Sequence, residues 1–343
     1  MIKIQKYFVW CIILLGIFLA LFGLKIELWP GFQQNSLWTF SGAQFLNNLQ
    51  DISWLFLQGP SPQLYQSYQT FLDKTQDKIY IQTYEFSNPY FKSAFLSLLD
   101  QGKTIQVIIE DKKFQQYGDP IKQLEAFFSW YQNIQFKSDE QMGTTYVHSK
   151  ITLNEIGTWI QTANLTTSSY EKNREHFFYT EDRSLRENLQ KLFSWDWNWK
   201  PLSATELHSN LVVCPQNCRE IIEFLLSHAK KSLIIQTQYI TDPQIWEILK
   251  EQSENIPLKI LVADTTDNDE LISYFGPWIA RKFTQHYNHT KMILIDDTYL
   301  LLWSMNLSDN SLDNNREIWI ILLDPKHIED FKKQFEEDRK RKS

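Results

Sequence analysis

Four blocks of this sequence occur twice and in the same order, which limits the fold more than any other feature. IYIQTYEF around Gln82-Thr83 answers to LIIQTQYI around Gln236-Thr237. VIIED, ending at Asp111, answers to ILVAD, ending at Asp264. YVHSKITLNE (146–155) answers to YNHTKMILID (287–296), and NLTTSSYEKNRE (164–175) to NLSDNSLDNNRE (306–317). A chain built this way folds as two similar halves.

Within each half the hydrophobic pattern alternates between strand and helix. The first half predicts strands over 78–86 and 104–109, helices over 89–101 and 121–131, and paired strands over 150–153 and 159–162. The second predicts strands over 232–240, 257–263, 292–295, 299–302 and 317–323, with helices over 244–252 and 270–282. A charged surface helix is expected over 328–342. Alternation of this kind makes the fold class α/β, with sheets sandwiched between helices. The expected domains are an N-terminal anchor (1–25), a tether (26–59), a first half (60–205) and a second half (206–343).

The anchor rests on residues 8–24, an uncharged apolar run that reaches about 25 Å as a helix, the short end of a membrane span. Lys3 and Lys6 precede it, and Lys25 and Glu27 follow. That arrangement favours a cytoplasmic N-terminus, with the bulk of the chain outside the cytoplasm in a single-pass protein. No small-x-small cleavage site follows the run, so an uncleaved anchor is preferred to a signal peptide. The net charge is −7, and residues 1–25 contribute three lysines and no acid. The remainder is therefore acidic, which disfavours non-specific binding to nucleic acid. Cys11, Cys214 and Cys218 are too few for a disulfide scaffold. Cys214 and Cys218 can bridge, but are read as packed thiols.

The chemistry sits in His-x-Lys-x4-acid, present as His148, Lys150 and Glu155 and again as His289, Lys291 and Asp296. On a strand, x-Lys spacing projects imidazole and ammonium from one face. The pair suits a phosphodiester: lysine holds the anionic oxygens while histidine works on phosphorus or on the leaving oxygen. Asn164 and Asn306 follow, each able to donate to a phosphate oxygen. Glu175 and Glu317 come next. A carboxylate accepting from one imidazole nitrogen fixes the tautomer and frees the other nitrogen as a nucleophile.

At these residues the chain resembles the phospholipase D superfamily, whose signature His-x-Lys-x4-Asp-x6-Gly-Ser-x-Asn occurs twice. The resemblance spans roughly 60–343. It implies two βα sandwich halves about a pseudo-two-fold axis, with one active site between them. One histidine, His148 by preference, forms a phosphohistidine. The other, His289, protonates the leaving alcohol and then activates water or a second alcohol. Lys150, Lys291, Asn164 and Asn306 bind phosphate, Glu175 and Glu317 orient the histidines, and no metal or other cofactor is required. The implied substrate is a phospholipid or another phosphodiester, handled by a membrane-anchored phosphodiesterase. A metal-independent nuclease and a non-catalytic scaffold are the alternatives.

Departures from the signature are local. Glu155 stands for Asp. The first segment is one residue short, with Gln161-Thr162-Ala163-Asn164 for Gly-Ser-x-Asn. The second reads Trp303-Ser304-Met305-Asn306, and Trp319 also occupies a position where the family often carries glycine. At position 303 an indole crowds a close backbone turn and is expected to cost stability or to block substrate. Glycine numbers 10 and tryptophan 13. Two readings account for this: a tryptophan-rich chain, or UGA codons read as glycine in the source organism and translated here as tryptophan.

Overall fold

The computed structural model describes residues 41–340 apart from 112, 116, 117, 141 and 201–206. The apolar run 8–24 lies outside these residues. Among the described residues no helix is long and apolar enough to cross a membrane.

The first half carries strands β1 (Leu55–Gly59), β2 (Lys78–Thr83), β3 (Thr104–Ile109), β4 (Ile134–Ser138), β5 (Ile151–Leu153), β6 (Thr158–Gln161) and β7 (Glu175–Thr180), in the order β1-β7-β6-β5-β2-β3-β4. The second carries β8 (Leu211–Cys214), β9 (Leu233–Gln236), β10 (Leu258–Ala263), β11 (Ala280–Phe283), β12 (Met292–Ile295), β13 (Tyr299–Trp303) and β14 (Glu317–Leu322), in the order β8-β14-β13-β12-β9-β10-β11. The two orders are the same arrangement. In both halves the first three strands in chain order after the edge strand are mutually parallel, and the remaining pairings are antiparallel.

Helices of the first half are α1 (Gly42–Asn47), α2 (Gln63–Asp73), α3 (Pro89–Asp100), α4 (Pro120–Phe127), α5 (Thr167–Glu171) and α6 (Arg183–Trp197). Those of the second are α7 (Cys218–Ser227), α8 (Pro243–Asn255), α9 (Asp269–Ile279), α10 (Asp309–Asp313) and α11 (Pro325–Lys340). The repeat extends to helix caps. Pro89 and Pro243 open α3 and α8, where their missing N–H costs nothing. The preceding Asn88 and Asp242 accept from the first free backbone N–H groups.

One buried cluster joins the inner faces of the two sheets. It contains Ile151, Leu153, Ile160 and Phe178 from one sheet and Met292, Leu294, Leu302, Ile318 and Ile320 from the other. Leu185, Leu189 and Phe193 of α6 and Phe331 and Phe335 of α11 complete it. A second cluster seals the outer face of the first sheet beneath α2 and α3. Neighbouring residues on a strand thus go to different cores, as the two-residue pleat requires.

Several expectations need correction. The tether is partly structured: β1 pairs antiparallel with β7, from Leu55↔Tyr179 to Gly59↔Glu175. The helix expected over 270–282 stops at Ile279, because Gly276 (φ 69°) and Pro277 break it and the chain passes into β11. The helix expected to be a surface element instead buries Ile328, Phe331 and Phe335. Strands expected over 78–86 and 232–240 end at Thr83 and Gln236, leaving Tyr84 and Tyr239 in loops. Cys214 and Cys218 are bonded as a disulfide rather than packed as free thiols.

Candidate active site

Each His-x-Lys segment enters its sheet from a crossing with the opposite half. Val147 bridges to Arg316, and Arg174 bridges to Asn288. These contacts put the start of β7 beside His289 and the start of β14 beside His148. The glutamates that open those strands therefore reach across. His148 Nδ1 lies 2.9 Å from Glu317 Oε1, and His289 Nδ1 lies 2.7 Å from Glu175 Oε1. Each couple is made by a histidine of one half and a glutamate of the other. With Nδ1–H given to a carboxylate, Nε2 keeps its lone pair.

Both glutamates are fully buried and themselves held. Thr162 Oγ1 donates to Glu175 and Ser304 Oγ to Glu317, each at 2.5 Å. Asn173 and Asn315 donate to the same carboxylates at 3.4 and 3.3 Å. The Thr162 hydroxyl thus does what the signature serine does in the second half. The Asn-Arg-Glu tripeptide ending both repeats was the available signal for Asn173 and Asn315, which motif reading passed over.

Lys150 and Lys291 are buried, and each Nζ donates to the carbonyl oxygen of its own histidine, at 2.6 and 2.7 Å. Burial pushes Lys150 down to about 7, against the pull of Glu317 and with repulsion from Lys291. Burial likewise takes Lys291 to about 8, opposed by Glu175 and Glu317. Burial lowers His148 to about 3 despite Glu317, and it lowers His289 despite Glu175. Both rings are therefore neutral near pH 7. Glu317 is held below its usual range: burial raises it, but His148, Lys150 and the Ser304 hydroxyl together outweigh that. Each histidine feels both lysines, so the two motifs form one electrostatic site.

Aromatic side chains border it. The Tyr84 ring stands edge-on to His148 with centroids 4.8 Å apart and lies 5.5 Å from Lys150 Nζ. Tyr287 stacks 6.3 Å from His289, and Asn306 hydrogen-bonds Tyr239. Asn164 sits on the loop after β6, with its backbone N–H on Ser169 Oγ at 3.2 Å.

The motif acids lie elsewhere. Glu155 accepts from the backbone N–H groups of Gln76, Asp77 and Lys78 at the entrance to β2. Asp296 accepts from Lys230, Lys231 and Ser232 at the entrance to β9. Their shared role is to pin one strand to the next hairpin. Glutamate serves as well as aspartate because the contact is to backbone.

The expectation that Trp303 crowds a close turn is not met. Its N–H donates to Lys291 O at 3.2 Å, as Gln161 does to Lys150 at 3.1 Å. Its side chain lies against Trp319 with ring centroids 4.9 Å apart, while the next residue, Ser304, reaches Glu317. In the first half the same register pairs Gln161 with Phe177 of the outer core. The indole therefore packs on Trp319, while Ser304 is the residue that reaches Glu317. The Trp303 Nε1, like that of Trp319, has no hydrogen-bond partner among the described residues.

Two histidines coupled to buried glutamates around two buried lysines, on a duplicated βα sandwich, define a phospholipase D-type protein. A family model described as "Cardiolipin synthase, PLD-like domain" matches residues 68–197 and 222–339, and the chain belongs to that family. Cardiolipin synthase 1 of Bacillus cereus is 29% identical over 136 residues, covering 36% of this chain and 27% of that protein. Cardiolipin synthase 1 of Bacillus anthracis is 27% identical over the same length and coverage. The match thus spans about a quarter of the length of these relatives. In fold, the chain is similar to the phosphatidylserine synthase of Haemophilus influenzae (TM-score 0.67, 13% identity, 87% of this chain and 89% of that one). It is also similar to the polyphosphate kinase of Porphyromonas gingivalis (TM-score 0.65, 16% identity, 84% and 51%).

Proposed function

We propose that the protein is a membrane-anchored phosphodiesterase of phospholipase D type that hydrolyses or transfers phosphatidyl groups through a phosphohistidine. The cross-half His–Glu couples around Lys150 and Lys291 carry this reading. Nε2 of His148 attacks phosphorus, and the bond from phosphorus to the headgroup oxygen breaks. His289, charged by taking up a proton from solvent as the anionic phosphodiester enters beside Glu175, gives the proton on its Nε2 to that oxygen. His289 then takes a proton from water or a second alcohol, whose oxygen displaces His148 from phosphorus. Lys150, Lys291, Asn164 and Asn306 hold the non-bridging oxygens, where charge builds up in the transition state.

Phospholipid is favoured over nucleic acid by the acidic balance of the chain and by the family's description. The run at 8–24 would hold the site at a bilayer, with the catalytic part outside the cytoplasm. The test is to trap a labelled phosphoenzyme with phosphatidylglycerol in detergent micelles, with plasmid DNA in a parallel reaction. His148→Ala should abolish trapping. His289→Ala should slow it by orders of magnitude, because the two groups act as a unit. Trapping from DNA alone would reverse the choice of substrate, and trapping unaffected by His148→Ala would remove His148 as nucleophile.

A further inference from the structure

Two repeated signals remain unused by this chemistry: the Gln-Thr pair at 82–83 and 236–237, and the arginine inside each Asn-Arg-Glu. We infer that Arg174 and Arg316 are positioning residues. Each is clamped across the seam by a glutamine–aspartate pair of the half whose histidine it serves.

Arg316 immediately precedes Glu317, the partner of His148. Its Nη2 lies 3.0 Å from Asp196 Oδ1 on α6 of the first half, and its Nη1 donates to Cys214 O at 2.7 Å. Gln82 Nε2 donates to Asp196 Oδ2 at 2.7 Å, and Ser149 Oγ, next to His148, donates to Gln82 Oε1 at 2.9 Å. The Arg316 backbone closes the circuit. Its N–H donates to Tyr146 O, and its carbonyl accepts from His148 and Ser149.

The arginine clamp recurs on the other side, without the link from the glutamine to the residue beside the histidine, since Thr290 Oγ1 turns to His176 instead. Arg174 precedes Glu175, the partner of His289. Its Nη2 lies 2.8 Å from Asp338 Oδ1 on α11, its Nη1 donates to Gly59 O at 2.9 Å, and Gln236 Nε2 donates to Asp338 at 3.2 Å. Its N–H donates to Tyr287 O, and its carbonyl accepts from His289 N–H. Both ion pairs are almost wholly buried, with side-chain exposures of 4% and 3% in one and 9% and 0% in the other.

A buried ion pair rarely outdoes an apolar packing of the same volume, so stability alone is a weak reason to build two at equivalent places. Orientation is a better reason. Glu175 and Glu317 stand on sheets that do not contain the histidines they serve. The guanidinium holds the residue next to each glutamate at a carboxylate across the seam and at a backbone carbonyl on its own side. Small misplacements of such couples are expensive in rate.

The kinetic part of this inference rests on the proposed histidine chemistry, whereas the spectroscopic part does not. The experiment is 15N NMR of histidine-labelled full-length chain, with the two site rings assigned by single histidine substitutions. Asp196→Asn should move the His148 ring signals and leave His289 in place, and Asp338→Asn should do the reverse. Each variant should lose about ten-fold or more in kcat with little change in KM. Gln82→Met and Gln236→Met, which spare the ion pairs, should give smaller shifts with the same selectivity and serve if an aspartate variant does not fold. Rings that move together, or not at all, would reduce the arginines to structural seam contacts. Selective shifts in these variants, with a wild-type chain that shows no turnover, would instead sink the proposed chemistry and leave the positioning role standing.

Discussion

The lysines carry the clearest pH signature at the scale of single residues. Burial brings Lys150 to about 7 and Lys291 to about 8, so both hold a proton below those values and lose it above them. A phosphodiester needs them charged. The acidity dependence of kcat/KM reports the free protein, so kcat/KM should fall as pH rises through about 7 to 8. A profile flat into the alkaline range would remove the lysines as charge holders. The residue types and spacing of this site were legible in the sequence because the motif is contiguous and duplicated. Its pairing was not: Glu175 follows His148 by 27 positions, yet serves His289, 114 positions away.

The edge strand β8 and the turn after it decide how firmly β14 is held. Cys214 pairs directly with Glu317 in the ladder and is tied to Cys218 at the start of α7. Closing so short a loop restricts the unfolded chain by about 2 kcal/mol. Cys218→Ala should therefore lower stability by about that amount in urea unfolding, and an unchanged midpoint would show that packing alone holds the turn. Sequence spacing allowed the bond without requiring it, since only folding sets the Cα–Cα separation at 5.1 Å. A second local feature is Trp199, which follows α6 with φ 51° and is succeeded by a Lys200 N–H→Trp195 O bond. That is the left-handed position where helices usually end on glycine. Its ring gains Lys137 Nζ at 4.2 Å, worth about 0.5–1 kcal/mol at an exposed site, against a backbone cost of about 1–2 kcal/mol. Trp199→Gly should thus raise stability by about 0.5 kcal/mol. A fall in the unfolding midpoint would show the cation contact to be dominant. Trp303 and Trp319 stand where the family signature or its members carry glycine, and Trp199 adds a tryptophan whose backbone itself favours glycine. Peptide mapping of the protein from its own source would decide between the two codon readings.

For the molecule as a whole, the seam between the halves is where the candidate site is assembled. One compact unit, Ser41–Ser343, contains both histidines and both glutamates. Mixing inactive His148→Ala and His289→Ala chains should restore no turnover, because neither chain holds a complete site. Recovered activity would mean that halves of different chains assemble the site. By itself, the sequence determined that there are two α/β halves and which side chains make up the candidate site. It did so because repeats and two-residue strand spacing are local properties of a chain. Only the tertiary structure decided that each glutamate crosses to the other half, that the motif acids pin backbone, and that the last helix carries a buried aspartate to the seam. Those outcomes depend on contacts between segments far apart in the chain, and no periodicity encodes which distant partner a side chain meets.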